Sequence, residues 1–124
     1  MSGKVADVEI ERFFLALADR TRLRLLNLMG DDEVCVCDLV EVMDEPQPKI
    51  SRHLAYLRRA GIVAARREGR WMHYRITPPA HAQAAALLEN VRIWWQKIAQ
   101  DRHERLPIFT NRVRSRFISR SAAN

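Results

Sequence analysis

The chain has two cysteines, Cys35 and Cys37, two positions apart in the run Glu33-Val34-Cys35-Val36-Cys37-Asp38-Leu39. Close-set soft thiolates bind soft, thiophilic acceptors or act as a redox pair. Their spacing is a poor one for a structural disulfide. Within this run a hydrophilic loop turns into an apolar-periodic segment, which predicts a helix start. In an ideal helix residues i and i+2 point about 200° apart, so two thiols placed there could not share one bound atom. The conflict eases if Cys35 is the N-cap, a position usually held by Ser, Thr, Asp or Asn with a non-helical backbone. Cys37 then falls in the first turn, where free N–H groups and the helix dipole favour thiolate. Asp38 and Glu41 oppose this, because their charges raise thiol pKa values.

The surroundings of the pair are divided by charge. Residues 31–45 hold Asp31, Asp32, Glu33, Asp38, Glu41, Asp44 and Glu45 with no Lys or Arg. Residues 46–76 hold Lys49, Arg52, Arg58, Arg59, Arg66, Arg67, Arg70 and Arg75 against Glu68 alone. With a net charge of +6 over 124 residues, the chain as a whole calls for a polyanionic partner, most often nucleic acid. The length fits one domain, and a core of this modest size favours dimerisation. No run approaches the roughly 18 apolar residues of a membrane span. Met1-Ser2-Gly3-Lys4 lacks the apolar core of a signal peptide. The expectation is a cytoplasmic protein, with its thiols reduced and no membrane partner.

Elements must position these groups. Val8, Phe13, Phe14, Leu17 and Ala18 recur at helical spacing and predict a helix over 6–18. Asp19 or Thr21 caps a second helix over 21–29, with Leu23, Leu25, Leu26 and Met29 apolar. A third helix covers 36–43, with Leu39, Val40 and Met43 inward, and a fourth covers 46–60, with Ile50, Leu54 and Leu57 inward and Gly61 ending it. The period then changes to that of a hairpin: strands over 62–67 and 70–76 around Glu68-Gly69. A last helix over 80–99 carries Leu87, Val91, Trp94, Trp95 and Ile98 on one stripe. The order α-α-α-α-β-β-α is that of a winged helix-turn-helix, a mainly α (α+β) fold with a two-stranded wing. It occupies residues 1–100, and the Arg-rich stretch 101–124 reads as a basic, flexible tail.

In this architecture the N-terminal half of the fourth helix reaches base edges in the major groove. Gln47, Lys49, Ser51 and Arg52 are the candidates there; Gln suits adenine, and Arg or Lys suits guanine or phosphate. His53 falls nearer the core edge and is a candidate for packing or a phosphate contact. Arg67 and Arg70 flank the wing tip, where phosphate or minor-groove contacts are natural.

Cys35-Val36-Cys37-Asp38-Leu39, Gln47-Pro48-Lys49-Ile50-Ser51-Arg52-His53-Leu54, Leu57 through Ile62, and Gly69-Arg70-Trp71 to Tyr74-Arg75 together resemble the ArsR/SmtB family. More narrowly, the chain resembles its arsenical resistance operon repressors, over about residues 8–100. The resemblance implies a homodimer that sits on double-stranded operator DNA and leaves it when trivalent arsenic or antimony binds Cys35 and Cys37. It also implies pairing of protomers through the first and last helices, with Phe13, Leu17, Leu87, Val91, Trp94 and Trp95 as the dimerisation residues. In one respect the chain departs from that pattern. Many such repressors carry a third cysteine where this chain has Val40, which leaves the third place to water, glutathione or a carbon substituent. Two thiols also suit a monosubstituted organoarsenical. Related metal sensors use Asp-x-His with a later His and Glu on the last helix; Asp101 and His103 match the start, but no histidine follows His103.

The expected function is therefore metalloid-responsive repression, with no organic cofactor. Alternatives of the same fold are a thiol-redox or organoarsenical-responsive repressor and a ligand-independent DNA-binding protein. A small thiol oxidoreductase is disfavoured, since the chain lacks a βαβ pattern, a Gly-rich cofactor loop and an acid–base constellation near the thiols.

Overall fold

The structure is a computed structural model; it describes the backbone of residues 2–101 and the side chains of 10–98. Five helices and three strands follow in the order α1 (Ser2–Leu17), α2 (Arg20–Met29), β1 (Val34–Cys35), α3 (Val36–Met43), α4 (Gln47–Arg59), β2 (Val63–Glu68), β3 (Trp71–Ile76) and α5 (Ala82–Asp101). This is the expected winged helix-turn-helix, with one addition. The expected hairpin wing, β2 and β3, is extended at its β3 edge by β1 into a three-stranded antiparallel sheet of order β1-β3-β2. A two-residue strand has no periodicity to detect. Val34–Cys35 becomes a strand because β3 offers it a free edge, pairing Val34 with Tyr74 and Cys35 with His73.

Local chemistry sets the boundaries. Asp19 caps α2 by accepting from the Arg22 N–H at 3.1 Å. α3 ends on Asp44, which takes the left-handed conformation (φ 54°) that Asp tolerates better than most residues. The Leu57–Ile62 segment closes α4 with a Schellman motif: Gly61 sits at φ 75° and the Ile62 N–H donates to the Leu57 carbonyl at 3.0 Å. Leu57 and Ile62 are both fully buried, which supplies the apolar contact that accompanies this motif.

The core joins Leu25, Leu28, Leu39, Ile50, Leu54 and Leu57, so α2, α3 and α4 share one interior. Helix faces at the two ends of the chain differ from the periodic reading. Phe14, Leu87 and Trp94 are 52%, 43% and 66% exposed, while Ala16, Leu88 and Trp95 are buried. Both helices carry more apolar residues than one face can hold, so spacing alone does not select the buried stripe. Val8 of the first expected stripe lies outside the described side chains, and His103 and the rest of the expected tail beyond Asp101 lie outside the described residues. Among the described residues, no helix is long and apolar enough to cross a membrane.

Candidate thiol site and nucleic-acid interface

Cys35 belongs to two elements at once. It ends β1 in an extended conformation (φ −68°, ψ 139°) and is the N-cap of α3. Its Sγ accepts from the Cys37 N–H at 3.4 Å, in the place where a serine or aspartate oxygen commonly stands. The extended backbone removes the angular conflict of a Cys-x-Cys helix, and the two sulfurs face each other at 2.6 Å without a disulfide bond. Cys35 is buried and Cys37 half-buried. Burial pushes the Cys35 thiol up to about 11, aided by the neighbouring Cys37 thiol and the Asp38 charge and opposed by the Cys37 N–H. At Cys35 desolvation therefore outweighs the field of the helix start, and the group is a protonated thiol at neutral pH. Asp38, read from sequence only as a charge near the pair, is completely buried. Among the described residues, no three His, Cys, Asp or Glu side chains are arranged to hold a metal ion. The thiols stand as a pair.

α4 presents a different surface. Gln47 and Arg52 are exposed, and Lys49 and Ser51 are half-buried at the edge of the same face. The Lys49 ammonium lies 3.1 Å from Glu45. Arg67 and Arg70 are exposed on either side of the Gly69 turn. Arg66 is held differently from them: its guanidinium forks onto Glu33, just ahead of β1, and also reaches Glu68. That hydrogen-bonded pairing with Arg66 holds the Glu33 carboxyl below its usual value.

A family model described as "Bacterial regulatory protein, arsR family" matches residues 19–65, from the cap of α2 into β2. The arsenical resistance operon repressor of Escherichia coli (strain K12) is 47% identical over 80 residues, covering 64% of this chain and 68% of that protein. The chain belongs to the arsR family. Members of this family are DNA-binding regulators, not enzymes. Another ArsR relative, the arsenic resistance transcriptional regulator ArsR1 of Pseudomonas putida (strain KT2440), is 47% identical over 79 residues, covering 63% of this chain and 62% of that one. Among solved structures, the homodimeric winged helix-turn-helix DNA-binding domain of a possible ArsR-family regulator from Mycobacterium bovis matches with a TM-score of 0.62. It is 28% identical, and the match covers 81% of this chain and 89% of that one.

Sequence reasoning missed how this ArsR-family chain braces its fourth helix. Arg22 donates from Nε to the Ala16 carbonyl at 2.7 Å and from Nη2 to the Leu15 carbonyl at 2.8 Å. Its Nη1 lies 3.2 Å from His53 Nδ1, and its guanidinium stacks 4.2 Å over the Tyr56 ring. One side chain thus ties the end of α1 and the start of α2 to the inner edge of α4. Tyr56 is half-buried beneath it. His53 is half-buried in the same cluster, and burial, with Arg22, Lys49 and Arg52 nearby, pushes its imidazole below the usual value. Asp19 opposes that shift. The local run Asp19-Arg20-Thr21-Arg22 signals a helix start and nothing more, so no pattern in it foretells a contact 31 positions away at His53. The expected dimerisation residues also divide: Phe13, Leu17 and Trp95 lie inside this subunit, Val91 is half-buried, and Leu87 and Trp94 face outward.

Proposed function

We propose that this chain is a metalloid-responsive transcriptional repressor. It binds operator DNA as a homodimer and leaves it when trivalent arsenic, or antimony as second choice, joins Cys35 to Cys37. The observation that carries this reading is the pair of thiol sulfurs facing each other across the N-cap of α3. The arsenic-resistance relatives support the choice of ligand. The repressor works in the cytoplasm, where thiols stay reduced.

Release follows from what Cys35 already does. Its sulfur caps α3 and its backbone is a ladder residue of β1. An atom bound between the sulfurs takes the lone pairs that serve the cap and redirects the first turn of α3. α3 packs on α4 through the shared core. A change in its tilt moves Gln47, Lys49, Ser51 and Arg52 out of register with the groove, and base and phosphate contacts fall together. Arg67 and Arg70 of the wing supply the flanking contacts. Dimerisation uses α1 and α5, which expose the large apolar residues Ile10, Phe14, Leu15, Leu87, Ile93 and Trp94.

A gel shift on the DNA upstream of this protein's own gene, with and without arsenite, tests the reading. The wild type is expected to bind and then release. The double variant Cys35→Ser, Cys37→Ser keeps an N-cap oxygen, so it is expected to bind DNA as before and to ignore arsenite. A double variant that still responds to arsenite overturns the assignment.

A further inference from the structure

Two thiols satisfy two of the three bonds of a trivalent metalloid, and the structure offers a partner for whatever occupies the third. His73 is the residue directly opposite Cys35 in the β1–β3 ladder. Opposed residues in an antiparallel pair share one face of the sheet, with Cβ atoms about 5 Å apart. His73 is 8% exposed. Its Nε2 lies 3.5 Å from the Glu68 carboxylate. Its Nδ1 is completely buried and has no hydrogen-bond partner. A buried imidazole nitrogen left unpaired is costly, so its presence on the sheet face that carries Cys35 needs a reason.

We propose that His73 Nδ1 receives the hydroxyl group that remains on arsenic after Cys35 and Cys37 have bound it. This inference rests on the thiol-pair reading above and extends it to the third substituent. Arsenous acid, As(OH)3, reacts with the two thiols by forming two S–As bonds and breaking two As–O bonds. The two thiol protons leave with the two hydroxides as two water molecules. Arsenic stays trivalent and keeps one hydroxyl. Glu68 faces Nε2 and favours the tautomer with the proton there, which leaves Nδ1 an acceptor for that hydroxyl hydrogen. The site then treats the hydroxyl as a ligand feature to be recognised, in a chain whose residue at position 40 is valine. His73 is a positioning and specificity residue here; of the protein's atoms, the two sulfurs alone bond to arsenic.

The test compares two ligands that differ in the third substituent. Arsenite retains a hydroxyl after dithiol binding, whereas phenylarsine oxide presents a phenyl carbon. Release of fluorescent operator DNA is followed by anisotropy for the wild type, His73→Phe and His73→Asn, alongside direct titration of free thiols. His73→Phe is expected to raise the arsenite concentration for half-release about tenfold and to leave the phenylarsine oxide response unchanged. His73→Asn, which sets an amide oxygen near the Nδ1 position, is expected to recover most of the arsenite response. Ligand-free operator affinity serves as the folding control and is expected to match the wild type. Equal shifts for both arsenicals, or no shift for either, overturn the role of His73 while leaving the thiol pair intact. A wild type that neither arsenical releases overturns the thiol reading and this inference with it.

Discussion

The proposed DNA-reading face and the candidate thiol site lie on adjoining helices of one core, but opposite physics builds them. The reading face is charge carried outward: Gln47 and Arg52 on α4 and Arg67 and Arg70 on the wing are exposed, and few neighbours constrain them. The thiol site is geometry carried inward: Cys35, Asp38 and His73 are buried, and the position of Cys35 is fixed by a strand ladder and a helix cap together. Long-range electrostatics serves the first and is screened by salt. Local bonding serves the second and is not. A ligand at the thiols therefore has little charge with which to repel DNA, and its leverage is the rigidity of the parts it touches. The two regions should be separable by mutation except where one support holds both.

Arg22 is such a support on the reading side, and its loss has the largest expected effect. Arg22→Ala removes charge-assisted bonds to the Leu15 and Ala16 carbonyls, the bond to His53 and the stack on Tyr56. The variant is expected to lose about 3 kcal/mol of stability in urea unfolding and to bind operator DNA correspondingly less well. Arg22→Lys should recover only part of this, because an ammonium cannot fork onto two carbonyls and an imidazole at once. Full operator affinity in Arg22→Ala would show that α4 is held by its apolar core alone.

Arg52→Ala sharpens the separation. It removes an exposed side chain from the reading face, so operator binding should weaken by about 2 kcal/mol in a titration at fixed salt. The unfolding midpoint should stay where it is. The arsenite concentration that releases the remaining complex should also stay within about twofold, because Arg52 forms no part of the thiol site. A large shift in that concentration would join the two regions that the structure keeps apart.

The same contrast explains what was legible in the sequence. The fourth helix and the wing announce themselves through period and charge, and their boundaries fall within a residue or two of the expected ones. Cys35 and Cys37 are visible as a pair, and the roughly 200° between positions i and i+2 of a helix points to the N-cap that Cys35 occupies. The neighbours of the pair were not visible. β1 is too short to have a pattern, so nothing placed His73 beside Cys35. Arg22 and His53 meet across two helices, a contact that depends on packing and not on spacing. At α1 and α5 the surplus of apolar residues hid the split between core and surface, and Trp95 turned inward while Trp94 did not.

The smallest effect concerns the pH response of the brace itself. His53 Nδ1 accepts from Arg22, which has no acceptor atom to offer in return, so the bond exists only while that nitrogen is unprotonated. Burial, with Arg22, Lys49 and Arg52, lowers the His53 pKa below its ordinary 6.5, and Asp19 only partly offsets this. Between 6.5 and the lower folded value the unfolded chain binds a proton that the folded chain refuses. Stability is therefore fully present above 6.5 and is lost as pH falls through the folded value. Below that point a charged His53 faces Arg22, and the Arg22–His53 bond is lost while the stack of Arg22 on Tyr56 remains. Urea unfolding of the wild type and His53→Asn from about pH 8 to pH 5 separates this contribution from the other titrating groups. Asn keeps an acceptor near the Nδ1 position without a titrating ring, so its stability curve should be flatter over that window. Parallel curves would locate the acid sensitivity elsewhere and leave the Arg22 brace independent of pH.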